Sequence, residues 1–369
     1  MHDCLIVGGG VIGLSLAYEL ACHGLRVQLL ERGRLGREAS WAGAGILPPA
    51  NAETAVHPLE QLRALSYRLH PLWAERLREE TGIDNGFRRC GGLYLARRIG
   101  EAASLHAAHG LWQEEGIATE RLTADEAARL EPALAPLARS GRLRAAYRLP
   151  GEMQIRNPHH LQALARACAN RGVELREQVE VVGFRREGRR IARLETNQGP
   201  FPAGRVCLTS GAWTRLLLER LQQPNDILPI RGQMILYRCE KRPFTHILNE
   251  GPRYLVPRDD GRVLAGSTEE EVGYDKNTTD EGLAELRTFA ADLLPELTAE
   301  RIEQSWAGLR PGSIDGFPYI GPLPQLENAF VAAGHFRSGL FMSPGTAVVL
   351  GQLLRDMKPE IDLTPFRPR

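Results

Sequence analysis

Asp3-Cys4-Leu5-Ile6-Val7 runs into Gly8-Gly9-Gly10-Val11-Ile12-Gly13 at the start of the chain, and Glu31 closes a second apolar run, Val27-Gln28-Leu29-Leu30. Strand, glycine turn, helix, strand and an acid about twenty residues on is the order that grips a dinucleotide. Gly8 permits the sharp strand-to-helix turn, Gly10 lets backbone approach a pyrophosphate, and Gly13 lets the helix pack close against the strand. Phosphate then meets the N–H groups at the helix N-terminus, where the dipole favours negative charge. The Glu31 carboxylate is placed to accept the ribose hydroxyls of an adenosine.

Working outward, 369 residues at 43% hydrophobic content can bury a sizeable core and are enough for two domains. Lys+Arg 46 against Asp+Glu 45 gives a net charge of +1, which supplies no global field for nucleic acid or an anionic membrane. Arg185-Arg186 and Arg189-Arg190 read as solvated hairpin ends. The six cysteines, Cys4, Cys22, Cys90, Cys168, Cys207 and Cys239, show neither Cys-x-x-Cys nor metal-like spacing, so a reduced, cytoplasmic protein is expected. No basic segment precedes the first strand and no apolar run approaches about 18 residues, so neither a secretory leader nor a membrane span is expected. His106, His109, His159 and His160 lack nearby acid or thiol companions and are expected to be surface or capping residues without a metal.

Leu59, Leu62, Leu65, Leu69, Leu72 and Leu77 recur at helical spacing within residues 53–80, with Pro58 and Pro71 expected to break or bend the helix. Residues 91–96 read as a strand and 104–115 as a helix. Thr123-Ala124-Asp125-Glu126 has the spacing of a capping box. Residues 157–170 read as a helix, and Gly172-Val173-Glu174-Leu175 as a strand leading into Val179-Glu180-Val181-Val182, with Ile191-Ala192-Arg193-Leu194 returning as a hairpin partner. Arg205-Val206-Cys207-Leu208-Thr209 is a buried strand ending in a second nucleotide-contact turn, Ser210-Gly211-Ala212-Trp213. Strands over 233–239, 254–257 and 262–267 predict an antiparallel sheet. A strand over 329–334 and a helix over 345–356 close the chain, so the nucleotide domain is interleaved from its beginning, middle and end.

Three features favour FAD over a nicotinamide. Glu31-Arg32 is followed by the small-residue loop Ala39-Ser40-Trp41-Ala42-Gly43-Ala44-Gly45-Ile46, which can pass beside an extended cofactor. Val179 stands where a strand can lie over adenine. Gly334-His335-Phe336-Arg337-Ser338-Gly339-Leu340 joins a buried strand to the last helix, so its amides face the flavin's pyrimidine edge, where charge develops on reduction. The expected fold class is α/β (α+β overall): a Rossmann-like FAD-binding domain from residues 1–83, 149–222 and 305–369, interleaved with an antiparallel-sheet substrate domain from 84–148 and 223–304.

Across nearly its whole length the sequence resembles the D-amino-acid-oxidase-like FAD-dependent amine oxidoreductases, and among them the glycine oxidase branch. The resemblance is strongest in Gly8 to Gly13 with Glu31, in Tyr254-Leu255-Val256-Pro257-Arg258, and in Trp306-Ala307-Gly308-Leu309-Arg310-Pro311 continuing through Asp315-Gly316-Phe317-Pro318-Tyr319-Ile320-Gly321. It implies that Arg310 forms a two-point salt bridge with the substrate carboxylate and that Tyr254 donates a hydrogen bond to it. A guanidinium is planar and permanently charged, so it can clamp a carboxylate and fix the α-carbon over the flavin. By the same resemblance Arg337 lies near the flavin and pocket, Ile46 lies by the ring, and the FAD is non-covalent, since no cysteine occurs in 329–345. One departure is Glu269, in Gly266-Ser267-Thr268-Glu269-Glu270-Glu271, where the resemblance places a pocket-lining methionine.

The activity implied is oxidation of glycine and other small amines, N-methylglycine and small D-amino acids among them, to an α-keto acid such as glyoxylate with ammonia. Molecular oxygen reoxidises the flavin and gives hydrogen peroxide. Hydride transfer needs no protein base, so a site without a catalytic histidine or lysine is no objection. A role in thiamine thiazole synthesis is implied by resemblance alone. A quinone-linked dehydrogenase of D-amino acids or proline-like amines and a non-catalytic FAD-binding protein are the alternatives. Oligomeric state stays open, with a homo-oligomer as one option.

Overall fold

The structure, a computed structural model, describes residues 2–368. The apolar run Cys4–Val7 is buried throughout and forms the strand on which the first sheet is built, pairing in parallel with Val27–Leu30 on one side and Arg205–Leu208 on the other. The sheet runs Tyr319–Pro322, Ala329–Ala333, Arg205–Leu208, Cys4–Val7, Val27–Leu30, Glu174–Arg176, with only its Tyr319–Pro322 edge antiparallel. Strands from the beginning, middle and end of the chain therefore share one sheet. Helices Val11–Cys22, Pro58–Thr81, Asn157–Asn170 and Gly339–Leu354 bury their apolar faces together beside it. A three-stranded meander over Val181–Glu187, Arg190–Thr196 and Gly199–Pro202 packs with helix Thr214–Arg220 in a separate core.

The second sheet has eight strands. Its order is Arg301–Gly312, Leu228–Arg238, Arg262–Gly266, Arg253–Pro257, Ile247–Glu250, Gly92–Ala96, Ala145–Leu149, Glu120–Leu122. All neighbours are antiparallel except Ile247–Glu250 with Gly92–Ala96. Helix Asp280–Leu293 and the short helices over 124–139 share a core with this sheet. Strand Arg301–Gly312 runs unbroken through residue 305, carrying Arg310 to its far end.

Several elements differ from the sequence reading for identifiable reasons. The helix expected over 104–115 begins at Ile99, because Glu101 accepts the backbone N–H of Arg98 at 3.2 Å and so caps an earlier start. The closing helix begins at Gly339 and tolerates Pro344, whose missing N–H frees the Leu340 carbonyl; the Ser343 hydroxyl donates to that carbonyl at 2.9 Å. Pro58 opens its helix, where a missing N–H costs nothing, and the same helix continues through Pro71 to Thr81. The continuous run expected over 172–182 is two strands in two sheets, separated by Gln178 at φ 61°. His160 is buried, its Nδ1 3.3 Å from Asn85 Nδ2 and its ring 6.4 Å from that of His70, so it is not a surface residue. Among the described residues no group of His, Cys, Asp and Glu is arranged to hold a metal, and no helix is long and apolar enough to cross a membrane.

Candidate active site

A cleft of about 490 Å³ lies between the two sheets and takes walls from both. At one end stands the glycine turn. Gly8 has φ +112°, and a Cβ there would lie 2.7 Å from the Thr209 carbonyl oxygen, so the turn is pressed against the end of the neighbouring strand. Gly10 is extended and precedes helix Val11–Cys22 without capping it through a side chain, so the first-turn amides face the cleft with the positive end of the dipole. Val11 N–H donates to Ser40 Oγ at 2.9 Å, tying the small-residue loop to this turn. Gly13 is not in the wall: a Cβ there would strike the Gly8 carbonyl oxygen and lie 2.6 Å from Thr209 Oγ1, the close helix–strand packing its position implied.

Glu31 ends its strand with a buried carboxylate that accepts from Gly9 N–H at 2.7 Å and Gly33 N–H at 2.8 Å. Two backbone donors fix the carboxylate while lone pairs remain for hydroxyls in the cleft. Arg32 lies 3.8 Å over the Trp213 ring and 3.6 Å from Glu38, and all three line the same end. Ala39, Ser40, Ala44, Gly45, Ile46, Val179 and Gly211 are in the wall, as are His335, Phe336, Arg337, Ser338, Gly339 and Leu340. Gly334 is behind it, at φ +81°, turning the strand toward His335. His335 is buried and held down to about 3 by that burial, with Nε2 3.1 Å from Thr346 Oγ1.

The other end is floored by one transverse row of the larger sheet. Tyr94, Asn249, Tyr254, Gly266 and Met234 are register partners across five strands, and all but Gly266 line the cleft. Gly266 makes room for its neighbours, since a Cβ there would lie 2.9 Å from a Tyr254 ring carbon and against Met234. Tyr254 Oη sits 3.6 Å from Met234 Sδ. Beneath the row Glu152 is fully buried, accepting from Tyr94 Oη at 2.5 Å and Asn249 Nδ2 at 3.0 Å; burial pushes its carboxyl up to about 7 against those two hydrogen bonds.

Arg310 stands beside that row. Its guanidinium donates from Nη2 to Ser267 Oγ at 2.6 Å and from Nη1 to the Thr268 carbonyl at 3.2 Å. It lies over Gly232, where a Cβ would collide with its Cζ and both terminal nitrogens. Burial lowers its pKa, with Tyr254 and Glu269 favouring the charge and Arg337 opposing it. Among the described residues no carboxylate comes within 4.0 Å of it. The resulting end is a desolvated cation, a phenol and a thioether around a small space, suited to anchoring one carboxylate beside an apolar wall. Arg258, in the same segment as Tyr254, is elsewhere: fully enclosed, it donates to Gln154 Oε1 at 2.7 Å and to the Ala44 carbonyl at 2.7 Å, locking the small-residue loop in place.

Glu269 is not among the walls. Ser267 and Thr268 take the buried positions after strand Arg262–Gly266, and the next side chain points out, leaving the Glu269 carboxylate half exposed and 3.5 Å from Arg337. Met234 supplies the apolar wall instead. Sequence reasoning missed Met234, Tyr94 and Asn249, which carry no local signal; Trp213 lies in the turn over 210–213 read as a nucleotide contact, and that turn lines the cleft. Gly232 and Gly266 did carry one, because glycine inside a strand marks a close approach.

The family model for FAD dependent oxidoreductases matches residues 3–353. The chain belongs to that family. This FAD-dependent oxidoreductase is 39% identical over 367 residues to a glycine oxidase from Pseudomonas aeruginosa, covering 99% of this chain and 98% of that one. Its fold matches the crystal structure of glycine oxidase from Geobacillus kaustophilus with a TM-score of 0.93 at 35% identity, over 100% and 98% of the two chains. It also matches iminodiacetate oxidase from Chelativorans sp. BNC1 at TM-score 0.88 and 27% identity, over 99% and 98%. FAD is the cofactor of the family, and the glycine cradle, the helix N-terminus beyond Val11 and the Glu31 carboxylate fit its pyrophosphate and ribose.

Proposed function

We propose that this oxidoreductase is a glycine oxidase: it converts glycine and small D-amino acids to an α-keto acid such as glyoxylate with ammonia, and N-methylglycine to glyoxylate with methylamine, oxygen being reduced to hydrogen peroxide in each case. The carrying observation is Arg310, a buried guanidinium with two of its donors fixed by Ser267 and Thr268 and no carboxylate of the described chain within 4.0 Å. Bound FAD supplies the two-electron acceptor. The chain's residues do the rest: Arg310 clamps the substrate carboxylate, Tyr254 donates a hydrogen bond to it, and Met234 with Ile46 crowds the space beyond the α-carbon. Orientation of this kind supplies a large part of a barrier reduction when the chemistry needs no proton-transferring side chain.

In this reading Gly8, Gly10, Val11, Ile12, Glu31, Arg32, Ala39, Ser40, Ala44, Gly45, Val179 and Gly211 hold the dinucleotide, with His335 to Leu340 at the flavin end. Residues 1–83, 149–222 and 305–369 contribute the cofactor domain and 84–148 with 223–304 the substrate domain, except that strand Arg301–Gly312 pairs along its length with Leu228–Arg238 and so belongs to the substrate sheet. No cysteine stands in the cleft walls, which supports non-covalent FAD. Six free thiols support a reducing, cytoplasmic setting, and supply of glyoxylate imine for thiamine thiazole is the expected use.

The test is anaerobic bleaching of the flavin by glycine, followed by peroxide release in air. Arg310→Ala should keep its FAD and lose about 3–5 kcal/mol in kcat/KM, the penalty for removing one partner of a buried charge pair. Unchanged glycine turnover in that variant would reassign Arg310 to structure. Dye reduction without peroxide would identify a dehydrogenase.

A further inference from the structure

Arg337 bridges the mouth of the cleft. It sits on the turn Phe336–Ser338 that follows the last strand of the first sheet, and it reaches two loops of the second. Its Nη2 donates to the Pro252 carbonyl at 2.7 Å, and its Nη1 lies 3.5 Å from Glu269 Oε2. The shorter, better bond is to the backbone. The carboxylate contact is long and half exposed, so the guanidinium keeps an anchor when the acid is removed.

Glu269 directly follows Ser267 and Thr268, the residues that hold Arg310. The three charges act on one another: Arg337 opposes the charge on Arg310 and Glu269 favours it. Two cations and one anion leave a single net positive charge at the substrate end, which complements a substrate bearing one carboxylate. Of Arg337 and Glu269, only Arg337 lines the cleft, so a second carboxylate on the substrate nitrogen that reached for its guanidinium would compete with Glu269, 3.5 Å from Arg337 Nη1, and be repelled by it.

We propose that the Arg337–Glu269 pair sets substrate charge selectivity, holding the enzyme to monocarboxylates, and that discharging Glu269 turns Arg337 into a second carboxylate site for N-carboxymethyl amino acids. The inference rests on Arg310 as the anchor of the first carboxylate. In this role both residues act at the rim, on substrate charge.

The test uses the FAD-loaded enzyme and two inert ether analogues, methoxyacetate with one carboxylate and diglycolate with two, whose dissociation constants are read from the change in flavin absorbance. Glu269→Gln should improve diglycolate binding relative to methoxyacetate by about tenfold, less at high salt because the site is exposed. In an Arg337→Gln background the same change should gain less than about threefold. Turnover of N-carboxymethylglycine relative to N-methylglycine should follow the same pattern. A ratio that stays within twofold in Glu269→Gln, or a full gain without Arg337, overturns the proposal. Failure of wild-type enzyme to oxidise glycine or N-methylglycine would instead overturn the reading of the site, while the two-analogue comparison still decides the charge pair.

Discussion

Gly232→Ala places one methyl group where the Arg310 guanidinium now lies. The Cβ would overlap Cζ and both terminal nitrogens, closer than real contacts come, so the guanidinium must move on the order of 1 Å and give up its bonds to Ser267 and Thr268. The obstructed atoms are the end of a flexible side chain, and Gly232 does not have a left-handed φ, so the fold itself should accept the change. A misplacement of about 1 Å costs roughly a hundredfold in rate, or about 2.7 kcal/mol. Anaerobic bleaching by glycine should therefore slow by about two orders of magnitude in kcat/KM, with FAD content and Tm near wild type. In an Arg310→Ala background the same methyl should do nothing further, because the group it displaces is gone. Glycine oxidation within threefold of wild type in Gly232→Ala, or an equal loss with and without Arg310, would refute the reasoning.

Glu152 has an ordinary pKa of 4.5 and is pushed to about 7, so between those values the folded protein holds a proton that the unfolded chain has released. Its contribution to stability falls as pH rises through that window, at roughly 1.4 kcal/mol for each pH unit. Glu152→Gln should therefore gain about 3 kcal/mol relative to wild type between pH 5 and pH 8; a constant difference in urea unfolding would sink this. Buried His70, His160 and His335 are lowered by burial from 6.5 to about 4, 3 and 3, so the opposite sign applies: unfolded chain binds protons that folded protein does not, and stability is lost as pH falls from 6.5 toward these values. His160→Leu should flatten the acid limb of the unfolding curve, and an unaltered slope would show that His160 already carries a proton in the fold.

The opening βαβ unit was legible because every signal in it is local: apolar run, glycines, helix and acid follow one another within one stretch of chain, and the structure keeps them in that order. The interleaving was legible for a related reason, the strands Arg205–Leu208 and Ala329–Ala333 being short, mostly buried runs ended by a turn or a glycine. At the Arg310 end of the cleft, only Arg310 and Tyr254 stood out in the sequence, as unusual residue types in segments that resemble a known family, and both line the cleft. Tyr94 and Asn249 meet through a parallel pairing of Gly92–Ala96 with Ile247–Glu250, and Met234 joins them through two further strands, so nothing near any of them in sequence announces the row they form. Glu269 was placed in the pocket by position, whereas the two preceding hydroxyl side chains took the buried sites and left it outside.

Gly232 shows where the boundary between the two kinds of information falls. Glycine inside the strand Leu228–Arg238 already says that something comes too close for a side chain. What comes close is fixed by register alone: Gly232 faces Gly308 and Ile230 faces Arg310, so the arginine is the diagonal neighbour two positions along, and only a bare backbone lets it lie across the strand. A slip of one residue would turn Arg310 to the opposite face of the sheet, away from the cleft. The position of the Arg310 guanidinium in the cleft is therefore encoded jointly, by the arginine itself and by a glycine that has no chemistry of its own.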